Sequence, residues 1–510
     1  MSERPAEAQA VSWASLIGLV GASLPMELDP ALHNIAVVGA ANGLHMTGSE
    51  RSLAASIGTL CIAAAILATG SLGDRLGRRR IMLLGLLTTL AGGVVTALAP
   101  NTTLFVLGRA LSGIGFAASF GLSFALLRSI APAPQALART VARWLALQTT
   151  GVVVLVLIGG YIADTSWRAA YLLGPAVGLV AFFWCLRTVP EAKDDGAGRF
   201  DVPGLLLVAL GLVGTLYGIS NAASFGWSSP KVLVPLAAGV VLLAGFAWWE
   251  ASCEQPAFPI RAFAHPELAA GALSTIGFNI ANAVVTLQLS LLWQYVYRYK
   301  PFEVSLGQLP MIVACIVAAG WAGGMVARGV AMRLLVPLGL LAMAAAMTAM
   351  AFAGESTPYF LFVVPLVATG VGLMLTQAPA ANVFVARSAP ALVGAMGSSR
   401  TAFGQFSYAL GLALSSSVLY GMFSPQLAER LAAAGATPAE QEQSLGIVRA
   451  YVQSGDMHLF DAKLVHEVIA SGTTTYLASY RTTMFVMAAL VVVMAALCLA
   501  VLSRRRRNDL

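Results

Sequence analysis

Four ionisable side chains stand inside long apolar stretches of this sequence. Glu27, Asp29 and His33 share one run, and Arg109 lies in another. Holding such a group in a low-dielectric interior costs at least a few kcal/mol, so each implies a task or a partner. Glu27 and Asp29 are two residues apart and point roughly 200° away from each other on a helix, so only one of them can face a shared cavity. Asp29 and His33 are four apart and share a face, which with Asn34 alongside reads as polar and cavity-lining. Pro25 and Pro30 remove backbone donors beside it. A carboxyl and an imidazole can each gain and lose a proton, and the permanently charged Arg109 guanidinium can oppose them. The chemistry expected here is proton exchange, led by Asp29, with His33 as tuning partner, Arg109 as counter-charge and Glu27 as a second acid.

Elsewhere the polar groups in apolar runs are mainly amides: Asn279, Asn282, Gln288, Gln377 and Gln405. Together with Asn34 they are the candidates for contact with a small solute. The aromatics Phe278, Trp293 and Tyr295 are candidates for stacking on it. No set of Ser, His and Asp at catalytic spacing stands out, so an enzyme is not expected. The five cysteines are scattered without ligand spacing, and His458 and His466 lie eight apart with no clear carboxylate set. Neither a metal nor an organic cofactor is expected.

The elements that hold these groups must be lipid-solvated. The chain has 510 residues, 58% hydrophobic and only 10% charged, against roughly 25% charged for soluble domains. Its mean hydropathy is +0.80. A helix needs about 20 apolar residues to cross a bilayer, and fourteen such runs are present, the first at 13–38 and the last at 482–503. Six precede the polar break at 188–202, two (203–221 and 232–250) follow it, and six begin after about residue 268. The expected organisation is an all-α membrane protein with a six-helix bundle over 1–187, a linker with two inserted helices over 188–267, and a second six-helix bundle over 268–510. The latter carries a polar outer loop at 424–479, with short amphipathic helices expected at 426–434 and 440–453.

An even number of crossings puts both termini on one side. With that side cytoplasmic, basic residues favour the inside by roughly two to one, the densest being Arg75, Arg78, Arg79 and Arg80 and the run Arg504 to Arg507. The net charge of +7 is thus spent on orientation, and nucleic acid is not an expected partner. The expected partners are a small-molecule substrate, protons and the bilayer, with the chain working as a monomer.

The stretch "GSLGDRLGRRR" (70–80) joins two apolar runs. Asp74 can pair with Arg78 and complement the N-terminal dipole of a neighbouring helix. The stretch "GGMVARGVAMR" (323–333) matches it at Gly70/Gly323, Arg75/Arg328 and Arg80/Arg333, as expected of a chain built from two parallel halves.

These segments resemble the major facilitator superfamily, in particular its fourteen-span drug:proton antiporter branch. The turn at 70–80 matches the loop signature between spans 2 and 3. "LGRALSGIGFAA" (107–118) is similar to the span-4 signature, with Arg109, Gly113 and Gly115 in place. "SWRAAYLLGPAVG" (166–178), "RFDVPG" (199–204) and "FGWSSP" (225–230) resemble the entry to span 6 and the flanks of the inserted pair. The resemblance implies two bundles that rock between inward- and outward-open states and proton-driven export of lipophilic or cationic small molecules across a bacterial inner membrane. It also implies that Gly70, Gly73, Asp74, Arg75, Gly77 and Arg78 form a latch between the halves on the inner side. Two departures are present. Span 5 has Leu155 and Val156 where antiporters place Gly-Pro, which leaves proton-coupled uptake as an alternative beside a non-transporting receptor. Span 1 reads "LDPALHNIAVVGA" (28–40), with Pro30 and His33 unusual.

Overall fold

The computed structural model describes residues 12–131, 134–193, 201–253, 258, 260–386, 393–433 and 462–508. Its helices are α1 (Trp13–Gly43), α2 (Gly48–Leu76), α3 (Arg78–Leu98), α4 (Thr102–Ile130), α5 (Pro134–Thr165), α6 (Trp167–Thr188), α7 (Val202–Phe225) and α8 (Pro230–Ser252). After a single 3-10 turn (Ile260–Ala264) come α9 (Pro266–Tyr295), α10 (Pro301–Gly307), α11 (Leu309–Ala327), α12 (Met332–Met350), α13 (Phe360–Ala386), α14 (Val393–Ala433) and α15 (Ala462–Asn508). The described residues contain no strand. That is what a lipid-solvated chain requires, because helices satisfy their own backbone groups.

Twelve spans are long and apolar enough to cross a membrane, with α10 and α11 forming one of them. A thirteenth is α2, bent by 46° near residue 67. Helix α1 is less apolar because Glu27, Asp29, His33 and Asn34 lie in it, but its 31 residues make it a fourteenth crossing.

Local sequence sets the helix ends. Thr47 and Glu50 form a reciprocal capping box on α2, and the side chains of Asn101, Ser166 and Asp201 cap α4, α6 and α7. Between α2 and α3 the chain reverses at Gly77, whose φ of 111° favours glycine. The stretch 323–333 occupies the equivalent turn between α11 and α12.

Helices α1–α6 form one packed group, with α3 held closely on α4. A side chain on Gly92 would meet the carbonyl of Gly108 at 2.8 Å. Helices α9 and α11–α15 form another, with α9 against α13, α14 and α15. The α7–α8 hairpin lies outside both and packs through α7 on α2 and on α14. The apolar face of α7 (Leu205, Val208, Leu212, Leu216, Ile219) joins Ile57, Leu60 and Ile66 of α2 and Ala409 and Ala413 of α14 in one cluster.

The expected loop at 424–479 is shorter than the sequence suggested. Helix α14 continues to Ala433 and α15 begins at Ala462, and Arg430 donates to Thr474 Oγ1 at 2.8 Å. Continued intrahelical bonding and this cross-link carry both helices past their apolar runs. The segment 426–433 is therefore the end of α14. The segment 440–453 and His458 lie outside the described residues, as does the side chain of His466.

Candidate functional site

Asp29 and Arg109 meet in the core of the first bundle. Arg109 Nη2 donates to Asp29 Oδ2 at 2.7 Å and Nη1 donates to Oδ1, a bidentate ion pair. Their side chains are only 10% and 4% exposed, so water screens the pair little. The guanidinium fits because residue 58 of α2 is glycine; a Cβ there would lie 2.7 Å from Nη2. On its other side the Arg109 Cζ stands 5.4 Å from the ring centre of Tyr171 on α6. The Tyr171 hydroxyl lies 2.7 Å from His33 Nδ1, with the donor set by the tautomer, and His33 Nε2 is buried without a partner. Asp29, Arg109 and Tyr171, with Pro25 and Pro175, line a cavity of about 10 Å³, on the order of one water.

This placement differs from the sequence reading at one point. Asp29 and His33 turn inward, toward α4 and α6, and not into the space between the bundles. The buried guanidinium of Arg109 needs a paired charge, and Asp29 supplies it. Glu27, on the other side of α1, is exposed and within electrostatic reach of Arg400 on α14, which puts it toward the inter-bundle space.

Asn34, seven residues after Glu27, lies on the same side of α1 as Glu27. Its Nδ2 donates to Thr286 Oγ1 of α9 at 3.1 Å and to the Tyr408 hydroxyl of α14 at 3.2 Å, and Ser290 Oγ donates to its carbonyl at 2.7 Å. Thus Asn34 joins the two bundles. The other inter-bundle bonds lie toward the end of the molecule remote from the chain termini. Arg51 donates to the Tyr295 hydroxyl at 2.8 Å, and Ser52 and Ser417 hydroxyls are 3.3 Å apart. Asp164 at the end of α5 accepts from the backbone N–H of Phe302 on α10 at 2.9 Å, and Tyr161 meets Phe302 edge-on. Gly160 lets α10 approach, since a Cβ there would meet Ser305 and the Pro301 carbonyl. The remote end is therefore sealed.

Among the other amide candidates, Gln288 is buried with both amide atoms unpartnered, and Gln405 Oε1 is likewise unpartnered. Asn279 donates to Thr275 O at 2.9 Å and faces Gly404 of α14. Asn282 and Gln377 are half-buried. No hydrogen bond joins these six side chains to one another among the described residues. Two of the aromatics are structural: Trp293 packs inside the second bundle against Tyr299, Tyr359 and Phe362, and Phe278 is buried in the core.

At the turn of residues 70–80, Arg78 Nε donates to Asp74 Oδ1 at 2.7 Å. Gly73 packs on Leu122 of α4, while Gly70 and Arg75 are half-buried. The sequence reading missed the partner of this turn. Glu191, just beyond α6, accepts from the backbone N–H of Arg79 at 2.9 Å, lies 3.7 Å from Arg80 and leaves no room for a side chain on Gly77. The Ala192 carbonyl accepts from the N–H of Arg78 at 2.8 Å. These bonds tie the turn to its own bundle.

Comparison with known proteins supplies context for this geometry. A sequence model described as Major Facilitator Superfamily matches residues 16–412. The chain is 29% identical over 435 residues to a puromycin resistance protein of Streptomyces alboniger, covering 84% of this chain and 85% of that protein. It is 30% identical over 377 residues to a cephamycin export protein of Amycolatopsis lactamdurans, covering 70% and 74% of the two. A tetracenomycin C resistance and export protein of Streptomyces glaucescens is 25% identical over 407 residues, covering 79% and 75%. Among solved structures, a bacterial homolog of the human lysosomal transporter Spinster, inward-facing and unoccupied, superposes with a TM-score of 0.64. It covers 96% of this chain and 97% of its own at 13% identity, which speaks to the fold alone.

Proposed function

The chain belongs to the major facilitator superfamily, and on that premise we propose that it exports lipophilic or cationic small molecules from a bacterial cell in exchange for protons. It is a multi-pass membrane protein and a secondary transporter. Both termini are assigned to the cytoplasm, following the bias of basic residues. The sealed end is then extracytoplasmic and the described conformation is inward-facing. Transport needs no cofactor beyond the proton gradient, and one chain with its two bundles suffices.

The Asp29–Arg109 pair carries this reading. In the inward-facing form the carboxylate is held by a guanidinium that has no other ion-pair partner among the described residues. Taking up a proton breaks the pair and removes a negative charge from the first bundle. That change gives the two states different electrostatic energies, which is what coupling requires. In the cycle a proton is lost to the cytoplasm as the pair forms, solute enters, the bundles tilt, and a proton from outside replaces the departing solute.

The export and resistance activities of the relatives favour outward movement of solute. Leu155 and Val156 in span 5 favour the second reading, uptake with protons. Proteoliposome flux under an imposed pH gradient separates the two. Solute moving against the protons supports export, solute moving with them supports uptake, and absence of flux with every dye tried refutes both.

A further inference from the structure

Two charged residues outside the Asp29–Arg109 pair face each other across the space between the bundles. The contact between Asn34 and Tyr408 sets the register of α1 against α14. The two helices are the first and thirteenth crossings, so they run in the same direction. Glu27 lies seven residues before Asn34, about 10 Å along the axis and on the same face. Arg400 lies eight residues before Tyr408, about 12 Å along the axis and within a quarter turn of its face. Both groups therefore sit at one depth, below the seal and on opposite walls.

Their charges act on each other, yet Glu27 and Arg400 are not among the pairs with N and O within 4.0 Å. The Nε of Arg400 is buried with no hydrogen-bond partner. Asn279 adds an amide nearby, because it faces Gly404, one turn along α14 from Arg400. A separated carboxylate and guanidinium on facing walls present one acceptor and one fork of donors with a gap between them. Neither has a complete set of partners without a ligand.

We propose that Glu27 and Arg400 form a two-ended substrate site, selecting small amphiphilic molecules that carry both a cationic and an anionic group. This rests on the reading of the chain as a transporter and narrows its substrate class. The Glu27 carboxylate takes the cationic end and the Arg400 guanidinium takes the anionic end. Asp29, paired within its own bundle, is left for the proton.

The test uses two dyes that differ at one group: rhodamine B, with a cationic xanthene and a free carboxylate, and its ethyl ester, in which that carboxylate is masked. Binding to the purified full-length protein is followed by fluorescence anisotropy without a gradient, so the result does not depend on coupling. The wild type is expected to hold rhodamine B about ten-fold more tightly than the ester, the scale of one charge-assisted hydrogen bond. Arg400→Gln should remove that preference and leave the ester bound, whereas Glu27→Gln should weaken both dyes. The exchanged pair Glu27→Arg with Arg400→Glu should restore the preference, which guards against a folding defect in the single variants. Equal binding of the two dyes by the wild type, no binding of either, or a preference that survives Arg400→Gln would each overturn the proposal. Gradient-driven flux of another solute would still stand in those cases, so the transporter reading fails only on its own test.

Discussion

Replacing Asp29 by Asn separates what the buried ion pair does for the fold from what it does for coupling. The amide keeps one acceptor oxygen, but its NH2 group faces a guanidinium that also only donates. Arg109 is then left 4% exposed with its charge uncompensated. Breaking one side of a buried pair costs about 3–5 kcal/mol, against about 0–1 kcal/mol for an exposed pair, and the burial of both side chains places this pair in the first class. The expected result is a clear drop in the thermal unfolding midpoint of the detergent-purified protein. Gradient-driven dye flux in proteoliposomes should fall to background. The double variant Asp29→Asn with Arg109→Gln removes both charges, so it should recover most of the lost stability while flux stays at background. Wild-type flux in Asp29→Asn would refute the coupling role. A double variant as unstable as the single one would refute the account of the ion pair.

Other substitutions test the seal and the turn. Asn34→Ala removes two inter-bundle hydrogen bonds worth about 1 kcal/mol each, so the population should move toward opening of the remote end by roughly ten-fold or more. Spin labels placed across that end would read the change as a longer distance, and an unchanged distance distribution would count against the seal. Gly160→Val puts a branched side chain against Ser305 and the Pro301 carbonyl of α10. It should hold that end apart and slow transport without loss of membrane insertion, measured by cysteine accessibility beside dye flux. Glu191→Gln weakens the acceptor for the N–H of Arg79 and the charge facing Arg80. We expect lowered thermal stability by about 1 kcal/mol, and a non-additive effect with Asp74→Asn because both acids hold the same turn through neighbouring residues.

The fourteen crossings and the inserted pair were legible because the length and apolarity of each run are local properties. So was the opposition of Glu27 and Asp29 on α1, which follows from helix geometry alone. Which of the two acids faces the inter-bundle space was not legible. That depends on the distant choice of Arg109 to pair with Asp29 and on the room made for it by glycine at position 58. Thr286, Tyr408 and Ser290 look like ordinary helix residues until Asn34 is docked on them. Glu191 and Arg400 were readable as charges at the edges of apolar runs, but their partners lie on other helices. Helix at 426–433 was legible from its periodicity, but its unbroken continuity with α14 and the start of α15 well before 482 were hidden, because hydropathy reports where a span leaves the membrane, not where its helix stops.

The position of α7 on both α2 and α14 makes the two sides of the molecule unequal. A hairpin fastened over that groove covers it in every conformation that keeps the cluster of Leu205, Leu212 and Ile219 intact. Across the molecule, α5 touches the second bundle through α10 at the sealed end and has no extended packing with α11 among the described residues. Among the described residues the α5–α11 side thus lacks, toward the end nearest the termini, the bridge that α7 supplies on the other side. A hairpin that ties α2 to α14 on one side leaves the α5–α11 side as the one where the two bundles can part without breaking that cluster.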